Sequence, residues 1–201
     1  MIQNGGLVTA KTHVLGSMSL ALGGYILMDK GGLLIPDVEP LIQLGIILPY
    51  SVWASTVPDL DQAHDSVAQS SPINLLIQRF FKIVKAGHRS VKSHVAPAFI
   101  SLAIYIALAF NMIGRNLNGT EITILALAVL GITAGLVSHF LLDIMTRDGI
   151  TIGKVNIRVV PDMALFGTGT DYERIVRRLL YVLTTVLFIY ILIKLRIPFH
   201  Q

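Results

Sequence analysis

His139 and Asp143 lie four residues apart in the stretch Ser138–Gly149. On a helix that spacing puts both on one face, about one turn apart. An imidazole and a carboxylate stacked this way can share one metal ion; the competing use is a His–Asp hydrogen bond that only joins two helices. The pair closes an apolar run that starts near Ile122 and is long enough to cross a membrane. Ionisable residues at such depth are costly and mark functional sites.

Other titratable residues fall into a few short elements. His13 stands near the start. Asp59 and Asp61 sit in Pro58-Asp59-Leu60-Asp61. His88, Arg89 and His94 share one segment, Asp148 follows the His139 run, and Glu173 precedes the last apolar run. Each has a structural and a chemical use. Asp59 is a ligand or a solvating group at a helix end. Asp61 is a partner of a ligand or a base that deprotonates water. His13 is a ligand or a cap. His88 and His94, six apart, need a turn to bring them together. Arg89 faces a phosphate or adds one more positive charge. Glu173 is a ligand or an acid favouring its helix N-terminus.

The elements that must position them are apolar. The chain has 201 residues, 53% of them hydrophobic and 14% charged, with a mean hydropathy of +0.69. A soluble domain carries about a quarter charged residues, so an all-α polytopic membrane bundle in one domain, residues 1–201, is expected. Five runs are read as spans: His13–Met28, Leu41–Val57, Val95–Ile113, Ile122–Met145 and Ile175–Ile193. In the first, Gly16, Ser17, Ser19 and Gly23 permit close helix packing. The polar Met1–Ala10 lacks a charged leader pattern, so the first run is expected to remain in the membrane. Absence of cysteine excludes disulfides, thiolate sites and cysteine nucleophiles, so any metal must be held by imidazole and carboxylate.

Five spans place 12 of the 16 Lys and Arg on one side, which puts the N-terminus in the cytoplasm of a cell-membrane protein. The net charge of +4 is then the cytoplasmic excess, and no nucleic-acid partner is expected. The same side receives His13, Asp59, Asp61, His88, His94, His139, Asp143 and Glu173. That convergence predicts a cytoplasm-facing site for zinc, manganese or iron, able to polarise a phosphoryl or carbonyl oxygen and to activate water.

Outside the spans, Ser70-Ser71-Pro72 starts a basic amphipathic helix. Its Ile73, Leu76, Ile77, Phe80, Phe81 and Val84 share a face flanked by Arg79, Lys82 and Lys85. That face either lies on the membrane surface or packs on the bundle. Lys154–Val160 alternates as a short strand does, and Gly167–Asp171 is a turn capping the last helix.

Lys11-Thr12-His13, Pro58-Asp59-Leu60-Asp61, a His-Arg element, His139-x-x-x-Asp143 with Thr146 and Gly149, and Thr168 to Glu173 resemble, in order, the YdjM-like membrane-bound metal-dependent hydrolases. One element differs: the family's second histidine follows the first by five positions, and here His94 follows His88 by six. The resemblance implies a distant relation to zinc-dependent phospholipase C and the P1-type nucleases, hence phosphoester hydrolysis. It implies one to three divalent ions, zinc first and manganese second, held by His13, Asp59, His88, His139, Asp143 and Glu173. Asp61 or His94 would move the proton and Arg89 would face the phosphate. The expected partners are membrane lipid and a small phosphoester or lipid substrate. A metal or ion transporter, or a non-catalytic protein with a structural metal, are the competing expectations.

Overall fold

The computed structural model describes residues 5–32, 39–61, 71–87, 89–115, 120–146, 149–152, 155–157 and 170–196. Their elements are α1 (Gly5–Lys30), α2 (Pro40–Ala54), a 3-10 turn (Pro58–Asp61), α3 (Pro72–Ile83), a π-helical turn (Val91–Val95), α4 (Ala96–Arg115), α5 (Thr120–Ile144), β1 (Ile150–Ile152), β2 (Val155–Ile157) and α6 (Asp171–Arg196).

Helix α5 is the axis of the bundle, packed against α1, α2 and α4. Its glycines decide how closely α2 approaches. A Cβ on Gly131 would stand 2.5 Å from the Ile47 carbonyl oxygen, and one on Gly135 would stand 2.5 Å from that of Ser51. The two glycines are one turn apart on the same face, the small-xxx-small arrangement that lets membrane helices touch backbone to backbone. Ile47, Ser51 and Ser55 therefore meet Gly131, Gly135 and His139 in turn, so α2 and α5 run parallel. On α1, Gly16 meets Ser138 and Leu142 while Gly24 meets Leu130, so α1 runs antiparallel to α5. Gly23, expected to be a packing glycine, has nothing within 4 Å of where a Cβ would be, and Gly24 takes that role.

Among the described residues, four helical segments are long and apolar enough to cross a membrane: Pro40–Leu60, Val91–Met112, Glu121–Ile144 and Asp171–Leu195. The first expected span is not among them. Helix α1 nevertheless runs the length of the bundle. Thr12 near its start donates to Glu173 at the start of α6 (2.9 Å), and Asp29 near its end pairs with Lys194 at the end of α6. Its polar Thr12, His13, Ser17 and Ser19 are buried. Ser17 donates to the Val14 carbonyl at 2.8 Å, and the Ser19 and Thr184 hydroxyls are 2.7 Å apart. Protein rather than lipid covers these groups, which is why this helix tolerates a less apolar sequence.

The core has two parts. Ala21, Leu22 and Tyr25 of α1 meet Leu44 and Ile47 of α2 and Leu127, Leu130 and Ala134 of α5 toward the Asp29–Lys194 end. Ala54, Val57, Leu60, Phe81, Ala98 and Leu136 form the second part, beside the donor cluster described below. Ile175, Leu179, Val182, Val186 and Ile193 of α6 are exposed, as a helix facing lipid requires.

Helix α3 begins as expected: the Ser71 side chain accepts from Asn74 N (3.1 Å) and Pro72 opens the first turn. Its expected apolar face is divided. Phe81 enters the core and Asn74 accepts from Trp53 Nε1 at 2.8 Å, whereas Ile73, Leu76, Phe80 and Ile83 are exposed. The strand expected at Lys154–Val160 is Val155–Ile157 in the described residues. It pairs antiparallel with Ile150–Ile152, a strand not anticipated, with Ile150 opposite Ile157. Of the expected turn at Gly167–Asp171, residues 167–169 lie outside the described part. Thr170 Oγ1 stands 3.5 Å from Glu173 N at the head of α6.

Candidate metal centre

The donors arrive from four elements. His13 projects from α1, Asp59 from the 3-10 turn, His94 from the π-helical turn, and His139 and Asp143 from the end of α5. All but Asp59 are buried. Asp143 is their meeting point. Its Oδ2 lies 3.1 Å from His94 Nε2 and 3.2 Å from His139 Nε2. Its Oδ1 lies 3.5 Å from His13 Nε2 and 3.6 Å from Arg89 Nη2. Asp59 Oδ1 stands 3.6 Å from His139 Nε2 and 4.0 Å from His94 Nε2, and its side chain is 44% exposed. The His13 and His139 rings stack at 3.9 Å, and His94 meets His139 edge-on at 5.1 Å.

Local hydrogen bonding fixes what two of these imidazoles offer. His139 Nδ1 is 2.6 Å from the Ser55 carbonyl oxygen. A carbonyl only accepts, so Nδ1 carries the hydrogen. Ser55 has a carbonyl to spare because α2 ends there and Pro58, three residues on, has no N–H to give it. His94 Nδ1 lies 2.8 Å from Ser93 Oγ, and Ser93 spends its single hydroxyl hydrogen on the Gly87 carbonyl at 2.9 Å. Ser93 therefore accepts from His94, and Nδ1 is again the protonated nitrogen. In both neutral rings Nε2 is then a lone pair aimed at a carboxylate oxygen. Buried acceptors facing one another at 3.1 and 3.2 Å repel unless a proton or a metal cation lies between them.

A metal ion meets that requirement. Metal-binding histidines characteristically donate their other ring N–H to a carbonyl or similar acceptor. Ligand atoms around a tetrahedral ion with bonds of about 2.0–2.2 Å sit about 3.3–3.6 Å apart, close to the spacings seen. Among the described residues, two triads place their donor atoms within 4.8 Å of one another: His13, Asp59 and His139, and His94, His139 and Asp143. His139 belongs to both, yet it has one Nε2 to give.

Arg89 adopts φ +52°, in the left-handed region that costs a non-glycine residue about 1–2 kcal/mol. The conformation is held on two sides. Its carbonyl accepts from Thr151 N at 2.9 Å, tying the loop to β1, and its Nη1 donates to Thr146 Oγ1 at 3.0 Å. Thr146 donates in turn to the Asp143 carbonyl at 2.7 Å. The guanidinium is thus held beside the Asp143 carboxylate at the end of α5.

Of the residues singled out from sequence, His13, Asp59, Arg89, His94, His139 and Asp143 are brought together. His94, expected as a proton carrier, stands among the donors beside His139. Glu173 stands with Thr12, next to His13 in the chain, and is in neither triad. Asp61 ends the 3-10 turn. His88 and Asp148 lie outside the described residues. Ser55 and Ser93 went unnoticed in the sequence, although a serine directly before His94 and a proline three residues after Ser55 were the available signals.

No curated protein and no solved structure matches this chain. A family model described as YdjM inner membrane protein matches residues 8–196, and this multi-pass membrane protein, with its buried His/Asp cluster fit for a metal ion, belongs to that family.

Proposed function

We propose that the protein is a metal-dependent hydrolase of the cell membrane that cleaves a phosphoester, a lipid headgroup or lipid-linked phosphate, at the cytoplasmic edge. One observation carries this reading: His94 and His139, each with Nδ1–H committed to an acceptor, turn Nε2 toward the same oxygen of Asp143 at 3.1 and 3.2 Å. His139 and Asp143, with His94, His13 or Asp59, would hold a divalent ion, zinc first and manganese second. Such an ion supplies Lewis acidity toward a phosphoryl oxygen and makes water a better nucleophile near neutral pH.

The chain's own groups divide the remaining work. Asp59, at 44% side-chain exposure, is the most exposed of the described donors, and it is placed to take a proton from an attacking water. Arg89, fixed by Thr146 and Asp143, would neutralise a phosphate drawn to the site. The cytoplasmic placement rests on the side that holds 12 of the 16 Lys and Arg.

The test is metal analysis of purified wild type and His139→Ala, with a phosphoester panel that includes phospholipids. Wild type is expected to carry metal and cleave at least one ester, and His139→Ala to do neither. Equal metal in both proteins with no cleavage by either would overturn the reading. So would metal-dependent ion flux in proteoliposomes without cleavage, which identifies a transporter.

A further inference from the structure

A second site lies beside the cluster, between α3 and the start of α4. A groove of about 610 Å³ is lined by Phe80, Phe81, Val84, Lys92, Pro97 and Ile100. Its walls are apolar except for Lys92. Phe81 closes the inner wall, buried against the core. The outer side is open and continues into two exposed apolar surfaces. One is the α3 stripe Ile73, Leu76, Phe80 and Ile83, at the three- and four-residue spacing of a single helix face. The other is Phe99, Ile100 and Ile104 of α4. Lys92, Pro97 and Ile100 lie in the first half of the candidate span Val91–Met112, and Phe99 and Ile104 carry the apolar surface on toward its middle, so the groove leads from headgroup level into the acyl region.

The chain segment that forms the groove carries charge of one sign. Between Asp65 and Glu121 the sequence has no acidic residue and six basic ones. Arg79, Lys82, Lys85 and Lys92 are exposed. Lys92 bridges the groove by donating to the Val84 carbonyl at 2.6 Å, which leaves an ammonium with two further N–H donors. An apolar slot with Lys92 in its wall, and with Arg79, Lys82 and Lys85 exposed on the same chain segment, complements a molecule with a hydrocarbon chain and an anionic head.

We propose that the α3–α4 groove binds an anionic phospholipid of the surrounding bilayer, its acyl chain against Phe80, Pro97 and Ile100 and its phosphate at Lys92, Lys82 and Lys85. In this arrangement α3 lies in the membrane interface, with its exposed stripe in the acyl region and its basic residues at headgroup level. The bound lipid braces the segment that leads from α3 through Arg89 to His94. The proposal stands apart from the hydrolase reading, since it requires neither metal nor catalysis.

The experiment uses the full-length protein in detergent and native mass spectrometry with phosphatidylglycerol and phosphatidylcholine of matched chains. Wild type is expected to retain phosphatidylglycerol at least about tenfold more tightly. The Lys82→Gln/Lys85→Gln/Lys92→Gln variant should bring the two lipids within about twofold, and Lys92→Arg should keep the preference. Ala96→Trp, which fills the groove, should weaken retention of both. A phosphatidylglycerol with a photoreactive acyl chain should label peptides from Phe80 to Ile100. Equal retention of the two lipids by wild type, an undiminished preference in the lysine variant, or labelling spread over α6 would each overturn the proposal in favour of non-specific lipid only. Asp59→Asn separates this site from the cluster: it should lose hydrolysis and keep the lipid preference.

Discussion

The Nδ1–H of His139 donates to the Ser55 carbonyl oxygen across the α2–α5 contact, at 2.6 Å. The bond links the unsatisfied C-terminus of one helix to a buried imidazole on another, and it decides which nitrogen faces Asp143. His139→Ala therefore has two consequences. The Ser55 carbonyl loses its partner, at a cost of about 1–3 kcal/mol, and both donor triads lose their common member.

Because Nε2 of His139 can serve one ion only, metal content should fall by a single ion per chain in His139→Ala. Plasma emission measurements on detergent-purified protein give the count. A loss of two ions would show that the two triads are filled together and that His139 is not the limiting donor.

The close approach at Gly135 makes the site sensitive to a methyl group. A Cβ there would stand 2.5 Å from Ser51 O, 2.7 Å from Ala54 Cβ and 2.8 Å from Ser55 N. Gly135→Ala should push α2 off α5, destabilise the protein by about 1–3 kcal/mol and weaken metal binding by moving Ser55 from His139. Gly23→Ala, with open space around it, should be neutral or slightly stabilising. Thermal unfolding in detergent compares the two, and equal effects would contradict the packing described.

Ser93→Ala removes the acceptor of His94 Nδ1–H and frees the ring to present either nitrogen. Loss of such a partner typically costs about 10–100-fold in metal affinity or activity, and that range is expected in zinc competition titrations. Ser93→Thr keeps the hydroxyl and should restore part of the affinity. Unchanged affinity in Ser93→Ala would remove Ser93 from the site.

Asp143 and Asp59 should separate stability from chemistry. Asp143 is buried beside three imidazoles and Arg89, and Asp143→Asn leaves the Arg89 guanidinium without its buried carboxylate, at a cost of about 3–5 kcal/mol. Asp59 is 44% exposed, so Asp59→Asn should fold normally and lose metal affinity and cleavage. Denaturant unfolding with activity assays on both variants is the check, and a reversed order of stability losses would refute the assignment.

Absence of native cysteine makes orientation directly measurable. Single cysteines at Lys92 and Arg174 should react with an impermeant maleimide from the cytoplasmic side, and one at Lys194 from the opposite side. The reverse pattern would invert the proposed topology while leaving the bundle unchanged.

The sequence alone determined four of the five expected spans, because apolar runs of about 20 residues report membrane thickness whatever their partners. It also determined the gathering of His13, Asp59, His94, His139 and Asp143 at one end, because alternating spans return their ends to the same side. The tertiary structure decided everything that depends on which side chains touch. It paired Glu173 with Thr12, set Arg89 between Thr146 and Asp143, and turned His94 toward the same oxygen as His139. It also showed that α1 travels with the other helices although its polar residues depress its hydropathy. Those residues find partners on α1 itself and on α6, and such pairings between distant segments leave no local pattern. The same holds for Ser55 and Ser93: a backbone carbonyl and a common serine gain their roles only when packing delivers an imidazole to them.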